Sequence, residues 1–208
     1  MAQLAGYNDD TFLWNEFKAG DKTCFNTLFR RYYSELYYYG IKNFSDPDLV
    51  KECIQEVFIR IWETRESLGN VENVRAYLIV SLRRIILAQK KKVMLQQHIG
   101  LRQVENSPFL FDLNEFEKHD EISDGVRKIL LAAINSLTRK QRELVMLFFY
   151  YELSYAEIAE VIGITVPALR NLMYRTLIHL RESIGEKSLE SMNKLFFLFF
   201  SSFSVKKV

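Results

Sequence analysis

The chain has 208 residues, 49% apolar and 26% charged, which suits a globular protein with one large core or two small ones. Two cysteines, Cys24 and Cys53, are too few and too far apart for a disulfide framework or a cysteine metal site, and read as reduced core thiols of a cytoplasmic protein. A net charge of +2 points to no partner, so any electrostatic signal must lie in how the charge is distributed.

Eight glycines and three prolines, set among apolar residues at helical spacing, predict an all-α chain. The first ten residues lack both a basic stretch and an apolar run, so no secretory signal is expected there. Phe12, Leu13, Trp14 and Phe17 predict a short amphipathic helix ending near Gly20. From Lys22 to Ile41 a second stripe runs through Phe25, Leu28, Phe29, Tyr32, Tyr33, Leu36 and Tyr37. Gly40 and the turn Ser45-Asp46-Pro47 are expected to end it. A third helix opens at Asp46 or Asp48 and buries Leu49, Val50, Cys53, Ile54, Val57, Phe58, Ile61 and Trp62. Its other face carries Lys51, Glu52, Gln55, Glu56 and Arg60. After a loop at Gly69-Asn70, a fourth helix from about Val74 to Lys92 turns Tyr77, Leu78, Leu82, Ile85 and Ile86 inward.

That fourth helix ends in a block of one sign. Between Glu72 and Glu105 there is no carboxylate, whereas Arg75, Arg83, Arg84, Lys90, Lys91, Lys92 and Arg102 are all cationic. Such a run is the electrostatic footprint of a phosphate-backbone contact, although cations also suit the negative end of any helix. Residues 93–125 hold seven acids against two bases and little apolar pattern, and read as a linker. Blocks 1–92 and 126–187 are mildly basic, so the charge pattern predicts two compact units on an acidic connection.

In the second block a helix runs from Val126 to Ser136, and Thr138 caps another over Arg139 to Tyr151. Residues 154–181 then meet the requirements of a helix-turn-helix in order. Ser154 and Glu157 form a capping box, Ile158, Val161 and Ile162 give an apolar face, and Ala159 is small where helices must approach. Gly163 suits a turn through positive φ, Thr165 caps the next helix, and Pro167 falls in its tolerant first turn. Leu169, Leu172 and Met173 point inward, leaving Arg170, Asn171, Tyr174 and Arg175 to reach base edges and phosphates. The bland alternative is a helical hairpin with arginines on its surface.

The tail, 188–208, contains Leu195-Phe-Phe-Leu-Phe-Phe200, about half the length of a membrane span, so no stable insertion is expected. It reads as a segment docked on the protein itself or on a partner. His98, His119 and His179 are scattered, and neither a phosphate loop nor a nucleophile motif is present. No enzymatic activity, metal or cofactor is expected.

The two blocks, in this order, resemble the ECF (extracytoplasmic function) group of bacterial sigma factors, the promoter-recognition subunits of RNA polymerase. Phe25-Asn-Thr-Leu-Phe-Arg-Arg-Tyr-Tyr33, Asp48 to Trp62 and Asn73 to Arg84 are similar to sigma region 2. Leu137 to Arg142, Ser154 to Ala159 and Leu180-Arg-Glu182 are similar to region 4. The resemblance implies two small helical domains, 1–92 and 126–187, joined by the linker 93–125 and followed by the tail 188–208. It implies that Lys51, Glu52, Gln55, Glu56 and Arg60 bind the β′ clamp of core polymerase, with the β flap as a second contact. Arg75, Arg83, Arg84 and Lys90 to Lys92 would engage the −10 element, beside a loop from Leu68 to Asn73 where an unstacked base is captured. Arg170, Asn171, Tyr174 and Arg175 would read the −35 element, with Thr165, Ser154, Arg139, Lys140 and Arg142 near phosphates. An anti-sigma factor is a further implied partner. Arg84 stands where many members carry asparagine, and Val166-Pro167-Ala168 where glycine and threonine are frequent. The second block alone fits equally a conventional helix-turn-helix regulator that binds DNA without polymerase; a protein that only titrates polymerase or an anti-sigma factor is a third reading. The first block, with its basic fourth helix and polar third-helix face, favours the polymerase subunit.

Overall fold

The computed structural model describes residues 9–44, 46–97 and 124–184, and every regular element among them is helical. The chain's first residues, most of the expected linker with His98 and His119, and the whole tail 188–208 lie outside the described residues. The chain divides into two compact units, Met1–Pro108 and Phe109–Val208.

In the first unit, α1 spans Asp10–Lys18, α2 Lys22–Phe44, α3 Pro47–Glu63 and α4 Val74–Gln97, with a short 3-10 turn at Arg65–Ser67. Short polar side chains start each helix by accepting from otherwise orphaned amides. Asp9 takes the Thr11 N–H at 2.9 Å and Asp21 those of Thr23 and Cys24 at 2.6 and 2.8 Å. Asp46 takes that of Leu49 at 3.1 Å, and Asn73 that of Ala76 at 3.0 Å. Pro47 falls in the first turn of α3, where its missing N–H costs nothing.

The expected stripe of α2 resolves into two rows. Leu28, Tyr32, Leu36 and Tyr39 are fully buried. Phe25, Phe29, Tyr33 and Tyr37, one turn apart, are half-buried; Phe25 and Phe29 lie edge-on against Phe58 of α3, and Tyr33 stacks on Tyr37. Leu13, Trp14 and Phe17 of α1 and Val50, Ile54, Val57 and Ile61 of α3 fill the core. Leu78, Ile79, Leu82 and Ile86 of α4 complete it. At about 1.5–3 kcal/mol per buried apolar side chain, this burial fixes which face of each helix remains outside.

Polar contacts join the helices. Asp10 accepts from Arg31 and from the Tyr32 hydroxyl. Burial first, and the Asp10 carboxylate second, hold the Tyr32 phenol well above its ordinary value, so it stays protonated. Cys24 and Cys53 are free and buried, and burial pushes the Cys53 thiol up to about 11.

Gly40 does not end α2, which runs on to Phe44. Gly40 sits where α2 and α3 touch: a Cβ there would lie 2.4 Å from Val50 Cγ1. The glycine serves close packing, and the helix stops at the Asp46-Pro47 cap. α4 likewise continues past Lys92 to Gln97.

In the second unit, α5 spans Asp124–Ser136, α6 Arg139–Val145, α7 Tyr155–Ile162 and α8 Val166–Ile184. α6 widens into a π turn over Met146–Tyr150, closed by the Tyr151 N–H donating to the Met146 carbonyl at 3.2 Å. The core is built from Leu130, Ile134, Leu144, Leu147, Ile158, Val161, Leu169, Met173 and Leu180.

Gly40→Ala is expected to destabilise the first unit by about 1–3 kcal/mol through overpacking. Urea unfolding measures the loss, and in a Val50→Ala background the same change should cost measurably less; equal costs in both backgrounds would contradict the contact.

Candidate nucleic-acid interface

The turn between α7 and α8 has the geometry its sequence requires. Ser154 Oγ accepts the Glu157 N–H at 3.3 Å, and Glu157 returns a carboxylate oxygen to the Ser154 N–H at 2.7 Å. Gly163 adopts φ 77° and its N–H reaches the Ala159 carbonyl at 2.9 Å, as does that of Ile164 at 3.0 Å. Nothing lies within 4 Å of a Cβ built on Gly163, so glycine is needed there for the backbone angle alone. Thr165 Oγ1 then accepts the Ala168 N–H at 3.4 Å to open α8.

α8 is held by Leu169, Met173, Thr176 and Leu180, all buried at helical spacing. The Thr176 hydroxyl donates to the Leu172 carbonyl at 2.7 Å, which lets a polar residue lie in the core. Arg170, Asn171, Tyr174 and Arg175 are therefore exposed, Tyr174 by 67%. None of the four side chains has an ion pair or hydrogen bond among the described residues. A tyrosine and two arginines left outside without a partner form a surface suited to base edges and phosphates.

The remaining residues expected near −35 phosphates divide by environment. Lys140 is exposed and Arg139 half-buried at the start of α6. Ser154 and Thr165 are exposed, their hydroxyls engaged in capping. Arg142 differs: its Nη1 donates to the carbonyls of Asn135 and Leu137, both at 2.6 Å, closing the end of α5. Burial lowers its guanidinium below the usual range, as expected for a cation held inside. Sequence spacing hides this contact, because it depends on how α5 and α6 fold against each other.

In the first unit, the cationic block is likewise split. Arg84, Lys91 and Lys92 are exposed on α4. Arg83 is half-buried, and Lys90 is half-buried with its ammonium 3.1 Å from the Phe44 carbonyl and 5.3 Å from the centre of the Phe44 ring. Arg75 Nε lies 2.9 Å from a Glu35 carboxylate oxygen, tying α4 to α2. The loop from Leu68 to Asn73 is irregular, and Lys18 donates to its Gly69 carbonyl at 3.3 Å.

On α3, Lys51, Glu52, Gln55 and Arg60 are exposed and Glu56 half-buried. Lys51 pairs with Asp48 at 3.2 Å and Arg60 with Glu56, whose second oxygen accepts from Gln89 of α4 at 3.3 Å. Amid them Ile59 is 56% exposed, an apolar residue on a polar face that the amphipathic pattern did not single out.

Arg142→Ala should lower the stability of the second unit by about 1.5–3 kcal/mol, since two carbonyls lose a charged donor. Lys140→Ala should leave stability within about 0.5 kcal/mol of the parent. Thermal melts of the two variants separate these outcomes; equal melting points would mean that the Arg142 contacts contribute nothing.

Comparison with known proteins finds a family match on each block. Residues 28–93 match the family model for Sigma-70 region 2, and residues 127–180 match that for Sigma-70, region 4. The chain is similar to the ECF RNA polymerase sigma factor SigL of Mycobacterium tuberculosis, 21% identical over 170 residues that cover 81% of this chain and 93% of the relative. It is similar also to the ECF RNA polymerase sigma factor SigK of Mycolicibacterium vanbaalenii, 24% identical over 141 residues, 67% of this chain and 71% of the relative. Among solved structures, its fold is similar to CnrH in complex with the cytosolic domain of CnrY, with a TM-score of 0.51 and 17% identity over 82% of this chain and 94% of the other. The sigma factor RpoE in complex with the anti-sigma factor NepR from Bartonella quintana gives 0.50 and 21% over 77% and 96%. With matches to both sigma regions in their family order, over more than half its length, the chain belongs to the sigma-70 family as a member of its ECF group of RNA polymerase sigma factors.

Proposed function

We propose that this chain binds core RNA polymerase and directs initiation at particular promoters, the first unit engaging the −10 element and the second the −35 element. The observation that carries the reading is the presence of both sigma regions, in family order, on one chain. A regulator acting without polymerase would account for the helix-turn-helix but would have no use for region 2.

Exposure supports the following residue roles in most cases. On α3, Lys51, Glu52, Gln55, Glu56 and Arg60 form the polymerase face, directed at the β′ clamp, with Ile59 as an apolar anchor at its centre. On α4, Arg84, Lys91 and Lys92 hold −10 phosphates, while Arg75, Arg83 and Lys90 contribute charge from positions that also stabilise the unit. In the second unit Arg170, Asn171, Tyr174 and Arg175 read bases, and Arg139, Lys140, Ser154 and Thr165 lie along the backbone. Arg142 supports that surface from beneath. The domains are taken as 1–92 and 126–187, with 93–125 as linker, 188–208 as tail, and the β flap as the second unit's polymerase contact.

The chain is read as a cytoplasmic initiation factor that performs no chemistry of its own and takes no cofactor; the polymerase supplies catalysis. No helix among the described residues is long and apolar enough to cross a membrane. An anti-sigma factor is a further proposed partner, supported by relatives of the same fold solved with the cytosolic domain of CnrY and with NepR.

Purified chain added to core polymerase should produce promoter-specific transcripts. Arg170→Ala should relax preference at particular −35 positions, costing about 1–3 kcal/mol there. Replacing Lys91 and Lys92 by alanine should weaken binding uniformly across sequences and flatten the salt dependence by about one unit of slope per lysine. Specific binding by the chain alone, as a dimer on a palindrome and indifferent to polymerase, would contradict the reading.

A further inference from the structure

Pro167 and Ala168 are both exposed in the first turn of α8, on the side away from the core. Pro167, Asn171, Tyr174 and Ile178 recur at i, i+4, i+7 and i+11, the centre of the face opposite Leu169, Met173, Thr176 and Leu180. The end of α8 that enters a groove first is thus apolar, and the polar readers begin a turn later.

This first turn is also a poor grip for phosphate. A helix N-terminus ordinarily offers several amide donors to an anion. Here Pro167 has no N–H, the Ala168 N–H is capped by Thr165 Oγ1 at 3.4 Å, and that of Leu169 bonds the Thr165 carbonyl at 2.9 Å. The Val166 N–H alone is left uncommitted among the described residues of that turn. Carbon presented to the major groove, without donors, matches one feature of the base edges: the C5 methyl of thymine.

We propose that Pro167 and Ala168 form an apolar contact to a thymine C5 methyl, making the first turn of α8 a specificity determinant of the −35 element. The inference rests on the reading of α8 as the −35 helix. It places thymine preference next to the positions read by Asn171, whose amide pairs in bidentate fashion with adenine.

The test uses polymerase reconstituted with the full chain. A −35 element is first selected from randomised duplexes, and each thymine in it is then replaced singly by deoxyuridine, which removes only the methyl. One or two positions should lose about fourfold in affinity, the worth of one buried methyl-sized group. At those positions the loss should shrink in Pro167→Ala and in Ala168→Gly, while other positions respond as in the parent. The parent result needs no variant, so it stands even if a variant folds poorly. An element recovered with no deoxyuridine effect at any thymine, or with an effect undiminished in both variants, overturns the methyl contact alone. Recovery of no −35 element overturns the assignment of α8 itself, and the methyl contact with it.

Discussion

The burial of one side of α8 is the constraint from which the second unit's surface follows. Leu169, Met173, Thr176 and Leu180 recur every third or fourth residue and have no exposure beyond 3%. A helix so held cannot rotate without bringing apolar side chains into water at a cost of several kcal/mol, about 1.5–3 for each large one. Its rotational setting is thereby fixed, and with it the outward placement of Arg170, Asn171, Tyr174 and Arg175. The angle at which α8 leaves α7 is fixed separately, by the left-handed backbone of Gly163 and the capping bonds on either side of it.

The first unit obeys the same logic with different means. Its aromatic row on α2 packs along α3, and the close approach at Gly40 and Val50 sets the spacing of the two helices. That packing leaves the polar side of α3 outside, where Glu56 is braced by Arg60 and by Gln89. Ion pairs on such exposed positions add little stability. In the proposed polymerase contact they order a charged surface, beside which Ile59 is exposed. Of the cationic block on α4, the part nearest the core serves the fold: Arg75 pairs with Glu35, and Lys90 covers Phe44.

Much of this was legible in the sequence, because helices, caps and turn residues are local. The Ser154–Glu157 box, the Thr138 and Asp46 caps and the positive-φ glycine at 163 could all be read from neighbours within four positions. What escaped depends on contacts between elements. Gly40 looked like a terminator because glycine so often is one; only the position of Val50 on a different helix reveals its packing role. Arg142 looked like one more surface cation, and only the fold of α5 against α6 brings the Asn135 and Leu137 carbonyls to it. The π turn after Val145 inserts a residue that no periodicity marks. Ile59 carries no signal in the sequence, because an amphipathic pattern expects apolar residues on the buried side.

In the proposed function, two separate surfaces of one chain meet two separate stretches of a promoter, and do so as part of polymerase. Hydroxyl-radical footprinting of a promoter with core enzyme, with the chain, and with both together addresses it directly. Two protected windows are expected, over the −35 and −10 elements, that appear only when both components are present. A single window, or a two-fold symmetric pattern produced by the chain without polymerase, would contradict it.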